Sequence, residues 1–249
     1  MPEDGLRHTG MSMDNTVGLG ADTWRHVAFV EQRRAVDIQD GLEGSLVQHA
    51  ARAQLADELG EMRWLMSSDV CKHCTSAACL EVCPTGSLFR TEFGTVVVQE
   101  DICNGCGYCV PACPFGVLDR REEDGRVWKC TLCYDRLRDD QEPACAQACL
   151  THSIQFGELD DLREVAAERL EVLQVAGEDG AHLYLDDGQD NGVGGAGAFF
   201  LLLDEPEFYG LPPDPVDTVR DLPQTWRATF AAAGALLVGV VALGVGGRR

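Results

Sequence analysis

An α+β fold is expected: a duplicated unit of short hairpins and helices wrapped around cysteine loops, followed by one apolar C-terminal helix. Three observations predict it. All twelve cysteines fall between Cys71 and Cys149, with none elsewhere in the 249 residues. The stretches that come after Cys83-Pro84 and Cys113-Pro114 match one another, so the chain carries an internal repeat. Finally, twenty consecutive residues, 228–247, carry no charge.

The length allows one or two domains with a sizeable core. Asp and Glu number 41 against 20 Lys and Arg, a formal charge of -21. Phosphate binding needs clustered cations, and Lys72 and Lys129 are the only lysines, so a general nucleic-acid surface is excluded. An even cysteine count suits a disulfide framework. Against that reading, the opening Met-Pro-Glu-Asp-Gly has no basic or apolar export region. Arg33-Arg34 lies too far in for a twin-arginine signal, and no apolar run comes after it.

The cysteine spacing is more specific. Cys103-x2-Cys106-x2-Cys109-x3-Cys113-Pro114 is the bacterial ferredoxin run, in which three close thiolates wrap a [4Fe–4S] cube and the fourth serves another cube. Gly105 and Gly107 permit the tight turns this needs. Cys71-x2-Cys74-x4-Cys79-x3-Cys83-Pro84 has the same scheme with two residues added. Each group runs on into an expected hairpin, 88–98 turning near Phe93-Gly94 and 117–128 turning near Asp124-Gly125. The domain is therefore expected to be ferredoxin-like. By the crossed rule, Cys71, Cys74, Cys79 and Cys113 hold one cube, and Cys103, Cys106, Cys109 and Cys83 the other.

The third group, Cys130-x2-Cys133-x11-Cys145-x3-Cys149, breaks that spacing and also suits a tetrahedral zinc site. Three zinc sites of four cysteines each are the alternative for the whole set. His73 and His152 lie among the cysteines, where loop hydrogen bonding is expected of them rather than ligation. No nucleophile–base pair or phosphate loop stands out, so no catalytic residue is assigned.

The run 130–136, Cys-Thr-Leu-Cys-Tyr-Asp-Arg, and then Gln141-Glu142-Pro143-Ala144-Cys145, resembles iron–sulfur electron-transfer subunits of the molybdopterin oxidoreductase (dimethyl sulfoxide reductase) superfamily. Within it, the chain resembles the beta subunits of membrane-bound respiratory formate dehydrogenases. The supporting stretches are Cys71-Lys72-His73-Cys74, the loop 103–109, Gly192-Val193-Gly194-Gly195 and Tyr209-Gly210-Leu211-Pro212. The likeness runs from about Thr9 onward, apart from an apparent insertion between Arg33 and Glu61.

The resemblance implies a four-cluster wire whose first cysteine group lies near the N-terminus, and here no cysteine precedes Cys71. In such a wire Cys130, Cys133 and Cys145 share a cube with the missing group, and Cys149 is the lone ligand of another. Two cubes then close on this chain, and two more only if the missing ligands are supplied. Residues 15–32 resemble the family's segment just C-terminal to the absent group, so a start codon placed too far downstream is the preferred explanation, with real loss of two clusters as the alternative. Leu150 stands where proline is usual and puts the local turn in doubt. The implied partners are a molybdopterin (Mo/W) catalytic alpha subunit and a membrane cytochrome b gamma subunit that passes electrons to quinone, as in anaerobic respiration. Another molybdopterin oxidoreductase, acting on sulfur compounds, nitrate or sulfoxide, is the alternative. A membrane-tethered zinc module is a third reading.

Beyond the cysteines, Leu159, Leu162, Ala166, Leu170 and Leu173 share one face of an expected helix over 158–176, with Gly177 as its stop. Strands are expected at 182–185 and 198–203. Gly192-x-Gly194-x-x-Gly197 matches a dinucleotide fingerprint, but a strand comes after it where a helix is required, so a flexible loop is expected. Residues 205–223, rich in Pro, Asp and Glu, read as an extended linker.

The uncharged run 228–247 would span roughly 30 Å as a helix, at about 1.5 Å per residue, enough for a single transmembrane pass. Trp226, Arg227 and Arg248-Arg249 flank it as interface anchors do. Ala231, Ala235 and Gly239 form a small-residue stripe suited to packing on another membrane helix. Charge does not orient the span; the resemblance places the cluster domain on the outer, periplasmic side, exported as a folded complex on a partner's signal. The expected divisions are 1–70 with an insertion at 34–60, a [4Fe–4S] domain at 71–157, helix, strands and linker at 158–223, and an anchor at 224–249.

Overall fold

A computed structural model describes Ser12, residues 15–34, 61–186 and 192–246. The expected insertion at 34–60 lies, after Arg34, outside the described residues. Strand β1 (His26–Arg34) pairs antiparallel with β2 (Glu61–Asp69), Val30 opposite Leu65. Period-two alternation splits β2 between a buried face, Leu65 and Ser67, and an open one carrying Met62, Trp64 and Met66.

The two cysteine-rich halves then share one order of elements. The first has helix α1 (Ala78–Glu81) and the hairpin β3 (Leu88–Arg90) with β4 (Val96–Val98). The second has helix α2 (Cys109–Ala112) and the hairpin β5 (Asp119–Arg120) with β6 (Val127–Trp128). Both hairpins turn where expected, at Gly94 (φ 73°) and Gly125 (φ 68°). Leu88 and Val96 of one half meet Val117, Leu118 and Val127 of the other in a shared core. Residues from each half thus cover the cysteine loops of both.

Short helices α3 (Tyr134–Arg138) and α4 (Ala144–Gln147) carry the third cysteine group. Helix α5 (Leu159–Val175) forms as expected, and its partly buried stripe contains Leu159, Leu162, Ala166, Leu170 and Leu173. It ends in paired turns, the Gly177 N–H on Gln174 O and the Glu178 N–H on Leu173 O, with Gly177 at φ 91°. Strands β7 (His182–Tyr184) and β8 (Phe200–Leu202) pair antiparallel. They build a second core of Leu65, Tyr184, Leu185, Leu202, Tyr209 and Leu211, and Phe115 packs against both cores. Arg63 ties β2 to this unit through Glu178 at 3.1 Å and Asp204 at 2.7 Å.

Two expectations need correction. The 192–197 segment is a packed strap, not a flexible loop: the Thr75 and Ser76 amides donate to Gly195 O and Val193 O, and the Gly197 amide donates to Lys72 O. Glycine is required at 192, where a Cβ would meet Pro215 O at 1.7 Å. Residues 205–223 are no free linker either. A 3-10 turn (Pro206–Tyr209) buries Tyr209 and Leu211, the Tyr184 hydroxyl donates to Pro212 O, and the Thr218 hydroxyl donates to Ala112 O. Pro-rich composition signalled a lack of regular structure but not a lack of packing.

The C-terminus is a different case. Helix α6 (Leu222–Gly246) forms, yet among the described residues no helix is long and apolar enough to cross a membrane. The expected transmembrane helix over 228–247 is therefore not supported by the described residues. Its last residue, Gly247, lies outside them.

Candidate iron–sulfur sites

Cys71, Cys74, Cys79 and Cys113 line one cavity of about 360 Å³ including its mouth, walled by Val96, Phe115, Val117 and Leu118. Cys83, Cys103, Cys106 and Cys109 line a second, of about 280 Å³, with Leu88, Val98 and Val127. Each cavity thus draws three thiols from one cysteine group and one from the other. The local folding explains this. Cys79 and Cys109 sit on the single-turn helices α1 and α2, whereas Cys83 and Cys113 come after those helices in sequence, where the turn has carried the backbone toward the opposite cavity.

The thiols of each ring feel one another's charge. Burial, then Cys71 and Cys113, push Cys74 up to about 12. Burial does the same to Cys79, against the opposing pull of Lys129. Cys113 is also raised by burial. In the second cavity burial raises Cys109 to about 11, with Cys83, Cys106 and Cys103 adding to it. Cys83 differs: burial raises it, but the Ser87 hydroxyl, the Leu88 amide and Thr85 outweigh that and bring it to about 6. Ligation needs thiolates, so iron must displace the protons that these buried thiols hold.

Among the described residues, no group of three or more His, Cys, Asp or Glu is close enough to hold a single metal ion. A zinc ion would draw four sulfurs to about 2.3 Å from one centre. A cube with iron at its corners holds the same four sulfurs farther apart around a cavity, and two rings of four thiols, each around its own cavity, fit it.

The four cysteines of the third group are held in different ways. Burial raises Cys130 to about 11, and the Leu132 amide donates to its sulfur at 3.3 Å. The Ala144 amide donates to Cys133 at 3.5 Å, and the Arg25 guanidinium donates to Cys145 at 2.9 Å. Cys149 is held like Cys83. The Thr151 hydroxyl and the amides of Ile154 and Ser153 bring it to about 7. The turn after it forms despite Leu150: the His152 amide donates to Cys149 O at 3.1 Å with His152 at φ 52°, as Gly86 (φ 70°) does after Cys83 and Gly116 (φ 63°) after Cys113. The signal for this third copy, Thr151-x-Ser153 against Thr85-x-Ser87, was present in the sequence.

Residues beyond the cysteines also shape the sites. Both lysines are fully buried. Lys72 pairs with Asp69 and lies 4.9 Å over the Phe115 ring. Lys129 donates to Val96 O and, at 2.8 Å, to Cys130 O. Composition had marked lysine only as scarce; its adjacency to Cys71 and Cys130 was the available clue.

A 4Fe-4S dicluster domain family matches residues 62–159. The nitrate-inducible formate dehydrogenase iron–sulfur subunit of Escherichia coli (strain K12) is 39% identical over 236 residues, covering 93% of this chain and 71% of that protein. The formate dehydrogenase iron–sulfur subunit of Haemophilus influenzae is 37% identical over 235 residues, 92% of this chain and 65% of that protein. The B polypeptide of the anaerobic dimethyl sulfoxide reductase of Escherichia coli (strain K12) is 44% identical over 94 residues, 38% of this chain and 46% of that protein. With the cysteine pattern, these likenesses establish that this polypeptide belongs to the family of formate dehydrogenase iron–sulfur subunits and is an electron-transfer subunit that binds [4Fe–4S] clusters.

Proposed function

We propose that the protein conducts electrons between a molybdopterin catalytic subunit of the formate dehydrogenase type, holding molybdenum or tungsten, and a membrane cytochrome b that reduces quinone. The observation that carries this reading is the division of eight cysteines into two rings of four, each around its own cavity. On this reading Cys71, Cys74, Cys79 and Cys113 hold one [4Fe–4S] cluster, and Cys103, Cys106, Cys109 and Cys83 hold the other. When bound, the clusters supply reversible one-electron chemistry.

The protein's own residues position and tune. Val96, Phe115, Val117 and Leu118 keep water from the first cavity, and the Phe115, Gly116 and Val117 amides point at the Cys113 sulfur. In the second cavity Cys106 is exposed. Cys130, Cys133, Cys145 and Cys149 close further clusters only where additional ligands are supplied.

The test is electron delivery in the purified complex. Formate should generate reduced-cluster EPR signals when the catalytic subunit is present and none when it is absent. If formate is inert while dimethyl sulfoxide oxidises pre-reduced clusters, the protein serves a sulfoxide reductase instead, a second reading favoured by the 44% identity to the sulfoxide reductase polypeptide over 94 residues.

Membrane attachment through 228–247 belongs to the same proposal. It is supported by Phe230, Leu236, Leu237, Val238 and Leu243 of α6, which lie open to the surroundings, and by Trp226 stacked on Phe230 at 5.7 Å. The cluster domain is proposed to lie on the periplasmic side. Truncation ahead of Trp226 should move the protein from the membrane pellet to the supernatant. Continued sedimentation would count against the anchor.

A further inference from the structure

His73 lies between Cys71 and Cys74 in sequence and lines the first cavity. Its backbone is held at φ 46°, in the left-handed region that residues other than glycine adopt uncommonly, and its side chain is buried. The ring Nδ1 accepts the Val96 amide N–H at 3.0 Å. An amide N–H only donates, so Nδ1 carries a lone pair and the ring proton is on Nε2. That Nε2–H is buried and has no protein acceptor among the described residues. The ring cannot swing away to find one. Val96 holds it through Nδ1, and the strap packs behind it, where a Cβ on Gly197 would sit 3.3 Å from the His73 Cβ. Lys129 and Arg90, the charged groups that act on the ring, are cations and accept nothing. A buried donor left without a partner is costly, and the His73 ring lines the same cavity as the sulfurs of Cys71, Cys74, Cys79 and Cys113.

We propose that the His73 Nε2–H donates a hydrogen bond to sulfur of the cluster held by Cys71, Cys74, Cys79 and Cys113 and so raises that cluster's reduction potential. The inference rests on the reading that this cavity holds a cube. A donor aimed at sulfur stabilises the extra negative charge of the reduced cluster, so its removal makes reduction harder.

The full chain, purified anaerobically, is titrated by EPR as wild type and as His73→Phe, which keeps a ring and removes the donor. The expected result is a drop of about tenfold in the reduced-to-oxidised ratio of the first cluster at fixed potential, about 59 mV for one electron, with the second cluster unmoved. An unchanged first-cluster potential with the iron content intact would overturn the proposal. Should His73→Phe fail to assemble, ENDOR on reduced wild type decides the matter. Coupling from an exchangeable proton and from ring-¹⁵N histidine supports the bond, and its absence with the cluster present overturns it. A wild-type first cavity without iron would instead defeat the cluster reading itself, and this inference with it.

Discussion

Cys83→Ala is expected to strip iron from the second cavity, lined by Cys103, Cys106 and Cys109, and to leave the first cavity loaded. Iron should fall from about eight toward about four per chain if two cubes are present. The effect should be large because Cys83 is held near 6, ionised at neutral pH before any metal arrives, by hydrogen bonds from Ser87, Leu88 and Thr85. Its ring partner Cys109, pushed up to about 11, offers no such ready thiolate. The mirror substitution, Cys113→Ala, should empty the first cavity although Cys113 belongs to the second cysteine group. EPR of the two variants assigns the surviving signals. Should Cys83→Ala instead abolish the signal that Cys113→Ala also abolishes, the sharing of thiols between halves is wrong.

Gly105→Ala should cost nearly as much through the backbone. Gly105 lies between Cys103 and Cys106 at φ 70°, and an added Cβ would fall 2.2 Å from the Gly125 carbonyl oxygen in the turn of the β5–β6 hairpin. Neither partner is a flexible side-chain end, so the cysteine loop or the hairpin has to move. Gly94 is the natural control: its φ is 73°, but a Cβ there meets nothing within 4 Å. Gly94→Ala should carry only the conformational cost, about 1–2 kcal/mol. Gly105→Ala adds the clash and should reach about 3–4 kcal/mol, in the range of severe single substitutions, together with loss of the second cluster. Thermal denaturation alongside iron content compares them. Equal melting of the two variants would mean that the Gly105–Gly125 contact does not constrain the loop.

The parts of the fold legible in the sequence were those governed by local spacing. The glycine turns at Gly94 and Gly125 and the leucine stripe of α5 encode structure within a few residues, and each appears where its pattern places it. The strap at 192–197 was not legible, because its order comes from amides of Thr75 and Ser76 more than a hundred residues away. Glycine looked like freedom there, when its role is to let two backbones meet. The same holds for 205–223, whose prolines and acids end regular structure but leave Tyr209 and Leu211 to fill a distant core. Arg25 illustrates the limit for the sites: nothing around it in the sequence announces a bond to Cys145, 120 positions on. His73 was visible as a loop histidine among cysteines, while its fixed tautomer needed the β4 amide at Val96 to be in place.

The most direct test is elemental: iron, zinc and acid-labile sulfide counted on the anaerobically purified protein. Two filled cavities give about eight irons and about eight sulfides per chain, a brown colour, and no stoichiometric zinc. A colourless protein with zinc bound to these thiols, or one in which the eight cysteines are joined as cystines, would contradict it.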